Sequence, residues 1–189
     1  MKPAALDYNH RKNALAALKS EGMKGLVLSL ASESDAEEIA FLRNTVAADV
    51  AARSGSSAGA RTTAKGVLYH LRLGQILIAR HKGRIVGSLL LVKKKPWAID
   101  VNYFTPVQSQ LYLVSMNVDP ALQRKGIGAR LIEYAKATAK AGGYKAIRLD
   151  AFEEAPWAVA FYASCGFMER GRTIFRVARL VYFEYLLTD

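Results

Sequence analysis

The spacing of apolar residues changes near residue 75, and this change limits the folds that the chain can adopt. Apolar residues recur at helical intervals in two segments, a helix starting at Ser34/Asp35 and running to Val50, and a second over Arg61–Leu73. Two runs rich in Ile, Leu and Val follow, Gln75–Arg80 and Arg84–Val92. His81-Lys82-Gly83 separates them and predicts a hairpin turn. The pattern therefore argues against a doubly wound parallel sheet.

The remaining segments continue as alternating strands and helices, in the overall order β-α-α-β-β-β-α-β-α-β-β. This order predicts one α/β domain over residues 26–189, preceded by an N-terminal arm or short helix over residues 1–25. Ser54–Gly59 is predicted to be a flexible loop. The other strands are predicted at Leu26–Leu30, Leu111–Val118, Lys145–Ala151, Phe167–Phe175 and Leu180–Leu187, and the other helices at Gly126–Ala141 and Pro156–Ser164.

Composition is that of a globular protein, with 51% hydrophobic and 23% charged residues among 189. No apolar run approaches the ~20 residues that span a bilayer, and the N-terminus does not resemble a secretory signal. The single cysteine, Cys165, excludes an intrachain disulfide and fits a cytoplasmic protein. At the end of a helix it is predicted to be a packed thiol rather than a nucleophile. One cysteine and three scattered histidines predict no zinc site.

Positive charge is concentrated in one segment of the chain. The formal net charge is +11, and the segment from Val50 to Ile99 contains ten Lys or Arg residues and no Asp or Glu. Such an excess indicates an anionic ligand, an anionic surface or nucleic acid, without choosing among them.

A strand, a basic loop and a helix follow one another between Asn117 and Leu131. Arg124 and Lys125 come directly before two closely spaced glycines, Gly126 and Gly128. Amide groups at a helix start carry partial positive charge, and glycine allows a ligand to approach the backbone. The segment therefore predicts a site for a diphosphate group, although an ordinary glycine-bearing turn would also explain it.

Two motifs in this part of the chain resemble those of the GNAT superfamily of N-acetyltransferases. Gln123–Gly128 matches the signature Q/R-x-x-G-x-G/A, and Asn117–Pro120 resembles the family's entry into that loop. Ala158–Phe167 is similar to the block A-x-x-F/L-Y-x-x-x-G-F. The resemblance implies the GNAT fold, a mixed twisted sheet with helices on both faces, opened between the fourth and fifth strands. It also implies an enzyme that transfers the acetyl group of acetyl-CoA directly to a primary amine.

The same resemblance implies site residues. Tyr162 would protonate the departing thiolate, although an aromatic residue packed beside Phe161 would serve the core equally well. A backbone N–H near Met116 would stabilise the oxyanion. The main chain of Met116 and Val118 would pair with the pantetheine arm. The residues implied for acetyl-CoA binding are Met116, Asn117, Val118, Gln123, Arg124, Lys125, Gly126, Ile127, Gly128 and Ala129.

Two positions depart from the family pattern. Ala155 stands where an asparagine often approaches the cofactor, and Tyr112 stands where some members carry a glutamate. The general base is therefore open among Asp150, Glu153, Glu154 and a water chain. The three acids would equally form a solvated acidic turn.

Two other function classes compete with acetyl transfer. A dinucleotide-binding oxidoreductase would use Gly126 and Gly128 for the diphosphate and Asp150 for the ribose, but its third glycine position is Leu131. A basic nucleic-acid-binding module would use the 50–99 segment, but the chain has no known nucleic-acid-binding signature, so nucleic acid is disfavoured.

The predicted partners are acetyl-CoA and a small-molecule or peptide amine, with no membrane and with a homodimer allowed. In GNAT proteins the first two helices cover the acceptor pocket, and this corresponds here to Asp35–Leu73. Four cations and no acid lie between Arg53 and Arg72. We therefore expect an acceptor with neutral or anionic groups beside its amine.

Overall fold

The computed structural model describes residues 24–54 and 60–187. A seven-stranded mixed sheet has the strand order β1-β2-β3-β4-β5-β7-β6. The predicted order of elements is confirmed; most of the predicted N-terminal arm and loop residues 55–59 lie outside the described residues. The strands are β1 Val27–Leu30, β2 Gly74–His81, β3 Arg84–Val92, β4 Gln110–Val118, β5 Ala146–Phe152, β6 Met168–Phe175 and β7 Ala178–Leu186, and the helices are α1 Ala36–Ser54, α2 Ala64–Leu73, α3 Ile127–Ala141 and α4 Pro156–Ser164.

The predicted hairpin joins β2 and β3 through a two-residue turn. Lys82 and Gly83 both have positive φ, 49° and 80°, as the tight turns that match strand twist require. Glu38 of α1 accepts a hydrogen bond from the Ile85 amide and pairs with Arg80, which also pairs with Asp35. The start of α1 is thereby tied to this hairpin.

The sheet opens between β4 and β5. These strands are parallel but pair only at Gln110, Leu111 and Tyr112 of β4 with Ala146, Ile147 and Arg148 of β5. Toward its C-terminal end β4 also carries a bulge, because the register with β3 shifts between Ser88 and Leu90. Ser115 has a φ of 56° within this bulge. The strands therefore diverge toward their C-terminal ends and leave a cleft, as the GNAT resemblance implies.

Helices cover both faces of the sheet. On one face α1 and α2 pack on a cluster that includes Ile39, Tyr112 and Tyr182. On the other face α3 and α4 pack on a second cluster that includes Leu131 and Phe183. A Cβ at Gly87 would lie 2.8 Å from the Leu131 side chain, so this glycine allows α3 to approach β3 closely.

A buried ion cluster holds the connection between β3 and β4 against β5 and β7. Glu184 is 1% exposed and pairs with Arg148 and Arg170. Arg148 also donates to the Thr105 carbonyl, and Glu184 accepts from the Thr105 amide. The Tyr182 hydroxyl donates to the Ala98 carbonyl. This connection is irregular, as predicted, apart from one short turn at Val101–Tyr103.

The beginning of α2 differs from the sequence expectation. We expect α2 from Arg61, but it begins at Ala64 because the Thr63 side chain accepts a hydrogen bond from the Gly66 amide. Asn44 of α1 exchanges hydrogen bonds with both backbone groups of Thr62 and holds this entry in place. Within residues 24–54 and 60–187, no helix combines the length and apolar character that a membrane span needs.

Candidate active site

The loop between β4 and α3 is held by hydrogen bonds between residues that are close in the sequence. The Asp119 side chain accepts from the Ala121 amide, and the Gln123 side chain donates to the Val118 carbonyl at 3.2 Å. Arg124 has a φ of 63° and Gly126 a φ of 86°, so the chain turns sharply before α3 begins. The Gln123 side chain thus stabilises the loop, because it links the end of β4 to the turn before α3.

The first turn of α3 provides an anion-binding geometry. The first bond that closes this helix runs from the Arg130 amide to the Gly126 carbonyl at 3.1 Å. The amides of Ile127, Gly128 and Ala129 precede that bond and lie at the positive end of a 15-residue helix. Arg124 and Lys125 are exposed beside them. The residues present therefore fit a diphosphate group.

Gly128 has a second role that the sequence does not show. A Cβ there would lie 3.1 Å from Met116 Cε and 3.1 Å from Phe161 Cζ. The glycine therefore allows three elements, β4, α3 and α4, to meet at one point beside the cleft.

Tyr162 lies at the same point. Its hydroxyl is 3.8 Å from the Met116 sulfur, and its ring contacts those of Phe161, Phe167 and Phe183. Burial raises the pKa of Tyr162, and its electrostatic interactions with Cys165 and Asp150 raise it further. The hydroxyl consequently keeps its proton throughout the neutral pH range and acts as a donor.

The other predicted β4 residues line the end of the strand. The Asn117 side chain donates to the Ser115 carbonyl at 2.8 Å and so stabilises the bulge. Beyond Tyr112 the described β4–β5 pairing has ended, so Met116, Asn117 and Val118 lie along the opened part of β4.

The three candidate bases have different surroundings. Asp150 is half-buried, and burial raises the pKa of its carboxyl. Glu153 pairs with Arg172 and Arg179, and Glu154 is exposed. Asp150 therefore differs from Glu153 in making no ion pair with another described residue, and from Glu154 in being partly buried.

Cys165 has the environment of a packed thiol. It is partly buried at the end of α4, and burial is the largest of the influences that raise its pKa. Lys136 donates to its carbonyl at 2.6 Å. In the part of the chain that the structure describes, no group of His, Cys, Asp and Glu side chains is arranged to hold a metal ion.

Sequence reasoning missed a contact between the end of α1 and the start of α4. The Arg53 guanidinium, near the end of α1, lies 5.7 Å from the ring centroid of Trp157 in the first turn of α4.

Comparison with known proteins agrees with this geometry. The model of the acetyltransferase (GNAT) family matches residues 48–167. An N-acetyltransferase from Staphylococcus aureus Mu50 is similar in structure, with a TM-score of 0.67 and 16% identity, over 87% of this chain and 100% of that one.

Two further solved structures have the same fold. The Salmonella typhimurium protein yncA, solved with its cofactor acetyl-CoA, gives a TM-score of 0.66 at 16% identity over 88% of this chain and 96% of that one. The ribosomal-protein-S18-alanine N-acetyltransferase of Escherichia coli gives 0.66 at 14% identity over 87% and 95%. With the family model covering more than half of its length, the chain belongs to the GNAT family and is an acetyl-CoA-dependent acetyltransferase.

Proposed function

We propose that this enzyme transfers the acetyl group to a primary amine that carries neutral or anionic groups nearby, with Tyr162 as the acid and Asp150 as the base. The observation that carries the proposal is the contact between the Tyr162 hydroxyl and Met116 where β4 leaves β5. Acetyl-CoA supplies the activated acyl group when it is bound. The α3 amides with Arg124 and Lys125 would hold its diphosphate, and the open edge of β4 from Met116 to Val118 would hold its pantetheine arm.

Asp150 would remove the proton from the incoming amine. A free alkylamine has a pKa near 10.4, so at neutral pH it arrives protonated and cannot attack. A carboxylate whose pKa is raised toward neutrality is a better base than an ordinary one. The negative charge of Asp150 also raises the pKa of Tyr162, which supports a site where the two groups interact.

Tyr162 would donate its proton toward the sulfur that leaves. A phenol with a raised pKa gives up its proton reluctantly, so the assistance takes the form of a hydrogen bond that strengthens as charge develops on sulfur. A backbone amide near Met116 would stabilise the negative charge on the carbonyl oxygen.

The α1–α2 layer supports an acceptor that is not strongly cationic. Arg61, Lys65 and Arg72 are exposed on it, while Arg53 pairs with Asp49 at 2.7 Å. A polycation approaching the Arg53–Arg72 part of this layer, which contains no acid, would be repelled.

A turnover screen tests the proposed function. Acetyl-CoA is incubated with the enzyme and with amines of several classes, namely amino acids, peptides, aminoglycosides and polyamines, and thiol release is measured. We expect release with neutral or anionic amines. No release with any amine class, while acetyl-CoA still raises the melting temperature, would contradict amine acetylation without contradicting cofactor binding.

A further inference from the structure

Arg43, in the middle of α1, is a buried cation whose charge is only partly satisfied. Its side chain belongs to a residue that is 5% exposed. Nη1 lies 2.9 Å from His70 Nδ1, but Nε and Nη2 are buried without a hydrogen-bond partner. Among residues 24–54 and 60–187, no carboxylate forms an ion pair with Arg43.

A buried guanidinium with unpaired N–H groups lowers the stability of the folded protein. An arginine remains protonated in proteins, and a buried charge without a counter-charge destabilises the fold. Buried polar atoms in native proteins almost always have partners, so each exception requires an explanation. An apolar residue of similar size would fill the same space without this cost, and a bound anion is the partner that would offset it.

The two unpaired nitrogens have the geometry of a carboxylate receptor. Nε and Nη2 lie along the same edge of the planar guanidinium. Their N–H groups point in parallel from this edge and match the two oxygens of a carboxylate. Nη1 points to the other side and is occupied by His70. The Nε–Nη2 edge, which can bind a carboxylate with two hydrogen bonds, therefore has no partner in the structure.

Ser88 supplies a second unpaired donor on the same face of the sheet. Its hydroxyl is fully buried and has no partner. Ser88 alternates along β3 with Leu90 and Val92, which pack in the α1–α2 layer. Its register partner on β4 is Asn117, the residue that braces the bulge next to Met116. Ser88 thus lies on the face of the sheet that α1 covers, level with Asn117 of β4.

We propose that Arg43 and Ser88 bind a carboxylate of the acceptor, so that the substrate is an amino-acid-type compound with a free carboxylate close to its amine. This inference rests on the proposed acetylation of an amine and names the substrate class. Both donors are closed to solvent in this structure, so α1 must move away from β3 when the carboxylate enters. Inside the closed layer, exclusion of water then strengthens the ion pair.

The test compares matched pairs of acceptors. The thiol-release assay is run with the proteinogenic L-amino acids and with their carboxamides, which keep the amine and lose the negative charge. For the wild-type enzyme we expect the carboxylate to have the higher kcat/KM. In Arg43→Met the ratio of carboxylate to carboxamide kcat/KM should fall by about tenfold or more, and Arg43→Lys, which keeps the charge without the fork, should recover only part of it.

Two further variants separate binding from structure. Ser88→Ala should lower the same ratio, and Lys94→Met, which removes an exposed cation just after β3, should leave it unchanged. The melting temperature of Arg43→Met should not fall, because the variant removes a charge that has no counter-ion. A purely structural arginine would instead give a lower melting temperature and equal losses with both acceptors.

Three results overturn the proposal. They are a wild-type preference for the carboxamides, an unchanged ratio in Arg43→Met, and turnover of other amines with none of any amino acid. Absence of thiol release with every amine tested would instead contradict the proposed function itself.

Discussion

The Tyr162 hydroxyl lies 3.8 Å from the Met116 sulfur, so a side chain of α4 touches the bulge of β4 beside the cleft. The Tyr162 ring is fixed by three aromatic neighbours, Phe161, Phe167 and Phe183. Packing therefore fixes the ring, and the hydroxyl is the part of the residue left for chemistry. Removing the oxygen alone separates these two contributions.

Tyr162→Phe should lower kcat by about 10²–10⁴-fold, the usual range for acid catalysis by a positioned side chain. The melting temperature and the affinity for acetyl-CoA should change little, because Phe keeps the ring contacts. Steady-state kinetics and a binding titration measure both. Tyr144→Phe, a change of the same size outside the cleft, is the control. A kcat within about threefold of wild type, with chemistry rate-limiting, would show that Tyr162 only fills the core.

Gly128→Val should abolish the rise in melting temperature that acetyl-CoA produces in the wild-type protein. The new side chain would press on Met116 and Phe161, which already lie 3.1 Å from a Cβ at this position, and would displace the first turn of α3. Thermal shift with saturating acetyl-CoA measures the effect, since ligand linkage raises stability only where the ligand binds. Ala141→Val, at the exposed end of the same helix, should retain the rise.

A polyamine should be a poor acceptor. Spermidine should show a lower kcat/KM than a neutral or anionic amine, because Arg61, Lys65 and Arg72 are exposed on the α1–α2 layer. Raising the salt concentration should narrow the difference, since exposed charges are screened over about 10 Å at 0.1 M. Efficient turnover of spermidine in preference to amino-acid or peptide amines would contradict the prediction.

Glu184→Gln should destabilise the fold by about 3–5 kcal/mol, because it leaves Arg148 buried opposite a neutral group. Glu184 is fully buried between Arg148 and Arg170, so water cannot replace the lost charge. Urea unfolding measures the loss. Glu169→Gln, which removes the exposed partner of Arg172, should hardly change the denaturation midpoint.

Acid should weaken the contact between α1 and α2. Burial lowers the pKa of His70, and the nearby Arg43 charge lowers it further. The unfolded chain therefore binds a proton at His70 more readily than the folded one. The stability from neutral His70 is present above pH ~6.5 and is lost as the pH falls toward the lower folded pKa. Melting temperatures from pH 7 to pH 5 should fall more steeply for wild type than for His70→Gln, and parallel curves would contradict this.

Local sequence signals predicted the elements well where the cause was local. Proline at the first turn indicated the start of α4, which was predicted at Pro156–Ser164, as observed. The beginning of α2 was missed because the choice between Arg61 and Thr63 depends on which side chain caps the helix. The motif residues Gln123–Gly128 were predicted to adjoin a helix start, and they do so in the structure.

Features that depend on distant residues did not follow from the sequence. The bulge of β4 arises from its register with β3, which single-strand patterns do not encode. Arg148 and Glu184 are far apart in the chain, and each alone is typical of an exposed strand residue. A charged residue on a surface helix is expected to face solvent. The burial of Arg43 depends on the packing of α2 beside α1, which the sequence of α1 does not show.

The short β4–β5 pairing divides the sheet into two blocks, each of which contains one hairpin, β2–β3 or β6–β7. Strands β1–β4 form one block and β5–β7 the other. In the sheet, the two blocks are joined by the three residue pairs of the β4–β5 ladder. Opening along this seam exposes fewer amides than melting either hairpin, so amide exchange at Gln110–Tyr112 should be faster than in the middle of β3. A ligand that contacts both β4 and β5 would hold the two blocks together. Bound acetyl-CoA should therefore slow amide exchange at Gln110–Tyr112.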